Sequence, residues 1–515
     1  MFDLDRRIFI RKNITFSYVN QASALITAIV LVPVFTRLLG QREYGEWLVI
    51  STVVANLYLA ASAFDLTLVN KIAEAKTEGE RSLTAKIVSN ALLLYTGLAC
   101  VLIGVFTLLA SALCRLFISH DDIHSASAMC LLGVLMALAL PFRTYLMLLR
   151  GLERVFEEQR IGTCINLCRL LAIPAAVLCG LKLLAVSAIY GGTALLGGMI
   201  GYLRARLLAR EARARPAIVS FHTLGHLIRP SLAFALLGVA GRVGFGIDNL
   251  VIGHALGPEQ VTRYAVPFGL MLVGTRIYST LTMALVPTIT TMYARNNIGG
   301  IRHTLSVLVR ISLVYAGAAG IALWVTGRCV LIWWAGTGIY PGARTFGLMI
   351  LLLIMQVLIE PWWILLVATT QHYGAAAIHT VESVLNLALS LLWVRKWGLS
   401  GVIAGTLVAR ALTSAWYIPL KAIWIMNLHF ADIPFASRGP VLAAGIASFT
   451  FLAVRSPLFS IVPRPVAGVF VASLFAFAFA YVSFSREERR AAIDQTQSLL
   501  RRWFGFGGQR AVREG

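Results

Sequence analysis

Along this chain apolar residues gather in long, nearly uncharged runs. They follow neither the three-and-four spacing of a surface helix nor the alternation of a half-buried strand. Runs of about 18 or more residues recur along the whole length, which is what a helix needs to cross the hydrocarbon layer. They predict about fourteen spans, near 14–38, 45–68, 87–112, 125–149, 160–180, 184–206, 231–256, 262–286, 304–326, 344–369, 375–394, 400–424, 440–455 and 465–485. The stretch "RSPLFSIVPRP" leaves little room between the last two. No ten-residue alternating pattern of a membrane barrel appears, so the expected class is an all-α polytopic membrane protein. The opening "MFDLDRRIFIRKN" is basic and leads into a long apolar segment without a small-x-small cleavage site, which reads as a retained first helix.

Composition agrees: of 515 residues 58% are hydrophobic and 13% charged, with mean hydropathy +0.79. A net charge of +22 is compatible with nucleic acid, but its placement argues otherwise. Arg and Lys gather at the termini and in 71–86, 150–160 and 204–215, on alternate connections. That is the positive-inside pattern; it places both termini in the cytoplasm and makes membrane lipid, not nucleic acid, the expected surface partner. The largest internal connection, 204–230 with "RARLLAREARARP", divides the chain nearly in half. The expected organisation is a six-helix lobe at 1–215, a second at 216–428, two further spans at 429–485 and a basic cytoplasmic tail at 486–515. The seven cysteines are scattered through apolar segments and read as small hydrophobes.

The two halves echo each other. "LLGQREYGEW" at 38–47 follows the first span and "ALGPEQVTRY" at 255–264 follows the seventh. Gly40 pairs with Gly257, Tyr44 with Val261 and Trp47 with Tyr264, all at an offset of 217 (257 minus 40). "INLCRLL" at 165–171 echoes "LNLALSL" at 385–391, and "YGGTAL" at 190–195 echoes "IAGTLV" at 403–408. Six plus six helices entered from one side imply a parallel repeat about an axis along the membrane normal.

Charges inside the spans are the candidate chemistry. Arg143 and Arg310 lie near cytoplasmic ends and can snorkel, whereas Arg169, Arg242, Arg276 and Arg410 lie deeper. Four lipid-facing arginines would cost roughly 10–14 kcal/mol, so an internal, hydrated or paired location is expected. The carboxylates available are fewer: Asp65, Asp248, Glu360 and Glu382. Arg242 and Asp248 share one span but point roughly 120° apart, so they are no i,i+4 pair; pairing of Arg242 or Arg276 with Asp248 across helices is one structural reading. A net positive interior suits an anionic cargo, because guanidinium groups match phosphate oxygens bidentately and stay charged.

"FTRLLGQREYGEW", "AFDLTLVNKI", "IDNLVIGHALGPEQVTRYAVP", "LVPTITTMY" and "LNLALSLLWVRKWGLSGVIAGTLVAR", spread over about 1–425, resemble signposts of the polysaccharide (O-antigen, Wzx-type) flippase family. That family belongs to the multidrug/oligosaccharidyl-lipid/polysaccharide exporter superfamily. One departure is Thr262–Arg263, where the second-half motif usually has a Gly before the aromatic. The resemblance implies an inner-membrane transporter, not an enzyme, that moves an undecaprenyl-pyrophosphate-linked oligosaccharide by alternating access. A polysaccharide polymerase and other assembly proteins would then be its neighbours. On this reading Arg242 and Arg276 grip the diphosphate, and Arg169, Arg410 and Arg143 extend the basic wall. No GxxxxGK[ST] loop occurs and no cofactor is expected, so a proton or sodium gradient is the natural drive, with Asp248, Glu360, Glu382 or Asp65 as the coupling carboxylate.

Two competitors stay open: an ion-coupled multidrug exporter on the same fold, disfavoured by the arginine excess, and a membrane glycosyltransferase or polymerase. The latter would need a substantial loop with catalytic acids, and only Asp121–Asp122 resembles such a cluster. "HDDIH" at 120–124 and "HTLGH" at 222–226 place two histidines at helical spacing without a further ligand set. The tail "REERRAAIDQTQSLLRRWFGFGG" fits either an amphipathic surface helix or a disordered basic segment.

Overall fold

A computed structural model describes residues 2–77, 81–118, 123–208, 225, 246–369, 373–426 and 473. Every described element is helical: α1 Phe2–Val34, α2 Gln41–Thr77, α3 Arg81–Ile118, α4 Ile123–Gly151, α5 Val155–Leu178, α6 Leu183–Leu208, α7 at 246–256, α8 Pro258–Met283, α9 Val286–Ala294, α10 Ile298–Ala335, α11 Ala343–Ala368, α12 Tyr373–Trp397, α13 Leu399–Leu412 and α14 Ser414–Ile425. Ten helical stretches among the described residues are long and apolar enough to cross a membrane. The chain is an all-α polytopic membrane protein. Spans expected at 440–455 and 465–485, most of the 204–230 connection and the basic tail lie outside the described residues.

The helices begin and end where backbone chemistry requires. Between α1 and α2 the chain widens into a π-type turn at Phe35–Leu39 and closes on Gly40, whose φ is +93° and whose N–H returns to the Phe35 carbonyl. Gly257 ends α7 in the same way, with φ +87°. The twelfth expected span is broken: the chain leaves the helix at Thr413, so α13 and α14 replace one rod. A short α9 follows α8 where a single span had been expected to end.

Two compact units emerge. The first holds Met1–Leu270, Leu331–Met349 and Tyr373–Trp416. Within it α4 packs on α3 and α6, α1 on α5, α2 on α4, and α12 on α13. Small residues set these approaches. A Cβ at Gly133 would stand 2.2 Å from the Phe106 ring, and one at Gly401 would stand 2.3 Å from the Trp393 carbonyl oxygen. The second unit holds Met271–Val330, Ile350–His372 and Tyr417–Gly515. There Tyr278 and Tyr315 stack at 5.3 Å, and their hydroxyls donate to the carbonyls of Leu308 and Gly274.

Inside the first unit four hydrogen-bonding or close contacts repeat at the offset of 217. Arg37 donates to the Trp333 carbonyl and His254 Nδ1 to the Leu116 carbonyl at 2.6 Å; 254 minus 37 and 333 minus 116 both give 217. Thr262 Oγ1 donates to the Gln41 carbonyl at 2.7 Å, while a Cβ on Gly45 would stand 1.8 Å from the Pro258 carbonyl oxygen; 262 minus 45 and 258 minus 41 again give 217. The sequence echo is therefore matched by reciprocal contacts, the pattern of a two-fold interface.

Gly133→Leu drives a branched side chain into the buried Phe106 ring and should lower stability by about 1–3 kcal/mol. The thermal midpoint in detergent measures this. Gly97→Ala, where nothing lies within 4 Å of an added Cβ, should leave that midpoint nearly unchanged.

Candidate functional site

The intramembrane charges separate into three groups. In the first, α2 and α4 bring Asp65 and Arg143 together. Arg143 Nε donates to both carboxylate oxygens, at 2.8 and 2.9 Å, and a terminal guanidinium nitrogen joins it. Tyr95 of α3 donates to the same carboxylate at 2.7 Å. In the second, Arg410 of α13 donates Nε to Glu382 of α12 at 2.8 Å, with the arginine 4% and the glutamate 6% exposed. Ser414 also donates to Glu382, and His379 Nδ1 lies 3.3 Å from it. Glu382 thus takes hydrogen bonds from both sides of the Thr413 break and fixes where the helix interrupts.

The third group is unlike these two, because its members meet no opposite charge among the described residues. Arg169 of α5 donates Nε to Thr193 Oγ1 at 2.8 Å and a terminal nitrogen to the Tyr190 carbonyl at 2.9 Å, with its guanidinium 3.7 Å above the Tyr190 ring. Asp248 of α7 is completely buried. Its described partners are neutral: Tyr264 donates at 2.7 Å, Asn386 at 3.3 Å and Thr406 at 3.4 Å.

Around Asp248 oxygen atoms converge. Thr406 Oγ1 lies 3.0 Å and Ser390 Oγ 3.2 Å from Asn386 Oδ1, and both hydroxyls approach the Val402 carbonyl, at 3.3 and 3.4 Å. The packing that permits this is local. Gly401 and Gly405 let α13 lie close against α12, where a Cβ on Gly405 would come within 3.0 Å of Ser390 Oγ. A carboxylate, a phenol, an amide, two hydroxyls and a carbonyl are thus joined in one buried hydrogen-bond network, in which Asn386 meets Asp248 through its Nδ2. Among the described residues no group of three His, Cys, Asp or Glu side chains suits a metal of the zinc type.

The other candidate residues are placed as follows. Glu360 of α11 is buried in the second unit beside Ser279 and Gln356. Arg276 of α8 is exposed, and Arg310 bonds Ser306 one turn away. Arg242 lies outside the described residues, as do "HDDIH" except Ile123 and His124 and "HTLGH" except Gly225. Tyr264, Asn386, Ser390 and Thr406 were absent from the sequence-based candidates. All four nevertheless stand in the repeated segments quoted above, as polar residues at or inside apolar spans.

Helices of membrane-spanning length, with buried charges set among them, define a polytopic membrane protein. Residues 10–293 match the polysaccharide biosynthesis protein family, and the chain belongs to that family. No curated protein matches it in sequence. Its fold is similar to that of the lipid II flippase MurJ in an inward closed conformation (TM-score 0.70, 11% identity, 91% of this chain and 98% of that one). A multidrug resistance MATE family transporter of the MOP superfamily in its inward-facing conformation is also similar (0.61, 12%, 80% and 98%). So is a MOP superfamily transporter from Pyrococcus furiosus, described by a binding pocket of reversed polarity (0.56, 11%, 81% and 95%). The chain therefore shares the fold of these solved structures.

Glu382→Ala leaves the Arg410 guanidinium buried without its acid and should destabilise the protein by about 3–5 kcal/mol, read as a lower thermal midpoint. Replacing both members, Glu382→Leu with Arg410→Met, should recover most of that loss, because no lone charge then remains.

Proposed function

We propose that the chain is a flippase that moves a polyprenyl-pyrophosphate-linked oligosaccharide, a polysaccharide repeat unit, across the bacterial inner membrane by alternating access. The match over residues 10–293 to a polysaccharide biosynthesis family carries this reading. The basic span residues fit it. A diphosphate head group needs guanidinium donors, and among the described residues Arg169 meets a hydroxyl, a carbonyl and an aromatic face. Arg242 and Arg276 are assigned to the diphosphate and Arg169 to the adjoining wall. The close pairing of Arg143 with Asp65 and of Arg410 with Glu382 supports a helix-holding role for those four.

In this proposal the architecture is two six-helix lobes, 1–215 and 216–428, in parallel two-fold repeat. Two further spans and a cytoplasmic tail follow, and both termini face the cytoplasm. Polysaccharide polymerase and assembly proteins would act on the delivered glycan. Asp248 is the coupling carboxylate, with the oxygens of Asn386, Ser390, Thr406 and Val402 as ligands for a transported sodium ion. A proton taken up by Asp248 is the alternative cargo, with Glu360 as a second titrating group.

The test is reconstitution in vesicles with a fluorescent polyprenyl-pyrophosphate glycan, read by its appearance on the opposite leaflet. Wild-type protein should flip it and Arg276→Gln should slow flipping at least tenfold. Asp248→Asn should abolish the response to an imposed sodium gradient while leaving the protein folded. Cationic drug transport without glycan flipping would overturn the proposal in favour of a multidrug exporter. A response of flipping to pH but not to sodium would assign the coupling to protons.

A further inference from the structure

We propose that α1 and α5 together form a sugar-recognition wall, an amide track that binds the hydroxyl groups of the cargo glycan beside Arg169. This deepens the flippase reading and rests on it for the identity of the cargo.

Seven-residue spacing builds the track. Asn13, Asn20 and Thr27 recur along α1, and Gln159 and Asn166 along α5, so each set lies on one helix face. The two helices pack together, and the sets meet. Asn20 Nδ2 donates to Gln159 Oε1 at 2.7 Å. Asn166 Nδ2 donates to Asn20 Oδ1 at 3.1 Å and to Ser23 Oγ at 3.0 Å. Gly162 leaves room for the Asn20 amide, since a Cβ there would stand 2.9 Å from its Oδ1. One turn beyond Asn166 comes Arg169, and from Gln159 to Arg169 the helix rises about 15 Å.

Bonds of this kind also glue spans together, and the hydrogen-bond inventory separates the two roles. A side-chain amide carries two donor hydrogens and an acceptor oxygen. Among the described residues Gln159 Nε2 donates to nothing, Asn20 keeps one N–H, and Asn166 Oδ1 accepts nothing. All three residues are half-buried, so these valences are within reach of a ligand. Arg169 spends one N–H on Thr193 and one on the Tyr190 carbonyl and keeps the others. Open amide valences at span depth do not face hydrocarbon, because nothing there bonds them; the track borders a polar space. Asn386, which aligns with Asn166 in the sequence echo, is different. It is buried, and both its amide nitrogen and its oxygen are engaged around Asp248.

The chemistry of the track selects its ligand. Amide oxygens and N–H groups are mixed with no carboxylate among them, and the neighbouring Glu157 and Glu158 are paired with Arg204 and Arg150. A neutral surface of donors and acceptors favours neither cation nor anion. It matches hydroxyl groups, each of which donates and accepts. Phe16 and Phe156, half-buried with ring centroids 6.4 Å apart, flank the end of the track nearest the start of α5 and offer apolar faces to the C–H side of a pyranose ring. At the deep end the Arg169 guanidinium supplies charge for the phosphate that carries the first sugar.

The experiment measures binding of three probes to the purified full chain: undecaprenyl pyrophosphate, the same lipid carrying a neutral trisaccharide, and the octyl glycoside of that trisaccharide. Wild-type protein should bind the sugar-bearing lipid more tightly than the bare one. Gln159→Glu keeps the oxygen that accepts from Asn20 and removes the open N–H groups, while Gly162→Ala displaces the Asn20 amide. Each should weaken binding of the sugar-bearing lipid and of the glycoside about threefold to tenfold, the loss of one or two hydrogen bonds, and leave the bare lipid unchanged. An unaltered thermal midpoint shows that α1 and α5 are still joined. Equal weakening of bare and sugar-bearing lipid, or no weakening of either, would overturn the wall. If the bare lipid binds and the trisaccharide adds nothing, the wall falls and the diphosphate assignment stands. If neither lipid binds but the glycoside does, and both variants weaken it, the wall stands and the flippase cargo falls. Binding of none of the three would overturn both.

Discussion

The structure depends on one constraint: a charge placed among apolar helices must meet an opposite charge or a fixed set of dipoles. Among the described residues, two direct pairs deep in the spans satisfy it, one in each half of the chain. Arg143 and Asp65 tie α4 to α2, and Tyr95 brings in α3. Arg410 and Glu382 tie α13 to α12, and Ser414 brings in the start of α14. Removing one partner of such a pair typically costs about 3–5 kcal/mol, because the survivor stays buried. A single neutral hydrogen bond contributes only about 0.5–1.5 kcal/mol. Cohesion is therefore concentrated inside each half, and the bonds between halves are the ones that motion can spare.

Against this background the groups left without an opposite charge become informative. Asp248 is wholly buried and held by a phenol, an amide and a hydroxyl, while Arg169 rests on a hydroxyl, a carbonyl and an aromatic ring. Each arrangement is a stable resting place that still lacks a full countercharge. A carboxylate so placed favours a cation or a proton, and a guanidinium so placed favours an anion. The two lie in different halves of the chain and carry opposite charges.

Much of this was legible in the sequence because span length and repeat are one-dimensional signals. All twelve expected spans from 14–38 to 400–424 fall on helical segments where they are described, and the "LLG…" and "ALG…" echoes mark two of the glycines with positive φ, Gly40 and Gly257. What escaped is what depends on contact between distant segments. Glu382 and Arg410 were both singled out as interior charges, yet 28 residues separate them and nothing in the text pairs them. Expected cross-helix pairing of Asp248 with an arginine gave way, among its described partners, to Tyr264, Asn386 and Thr406. Those residues are ordinary in a soluble protein. They become significant only when packing removes water from around them.

The repeat makes that last step sharper. "INLCRLL" and "LNLALSL" align Asn166 with Asn386, and "YGGTAL" and "IAGTLV" align Thr193 with Thr406. The same two residue types were thus present at corresponding places in both halves, but the charge beside them differs in sign. In the second half Thr406 and Asn386 attend the Asp248 carboxylate. In the first, the residue opposite Asp248 at the offset of 217 is Leu31, and Thr193 instead accepts from Arg169. A shared polar scaffold has been given an anion on one side and a cation on the other. The repeat fixes where these polar residues stand, and among the described residues the sign of the charge beside them is what distinguishes the two halves.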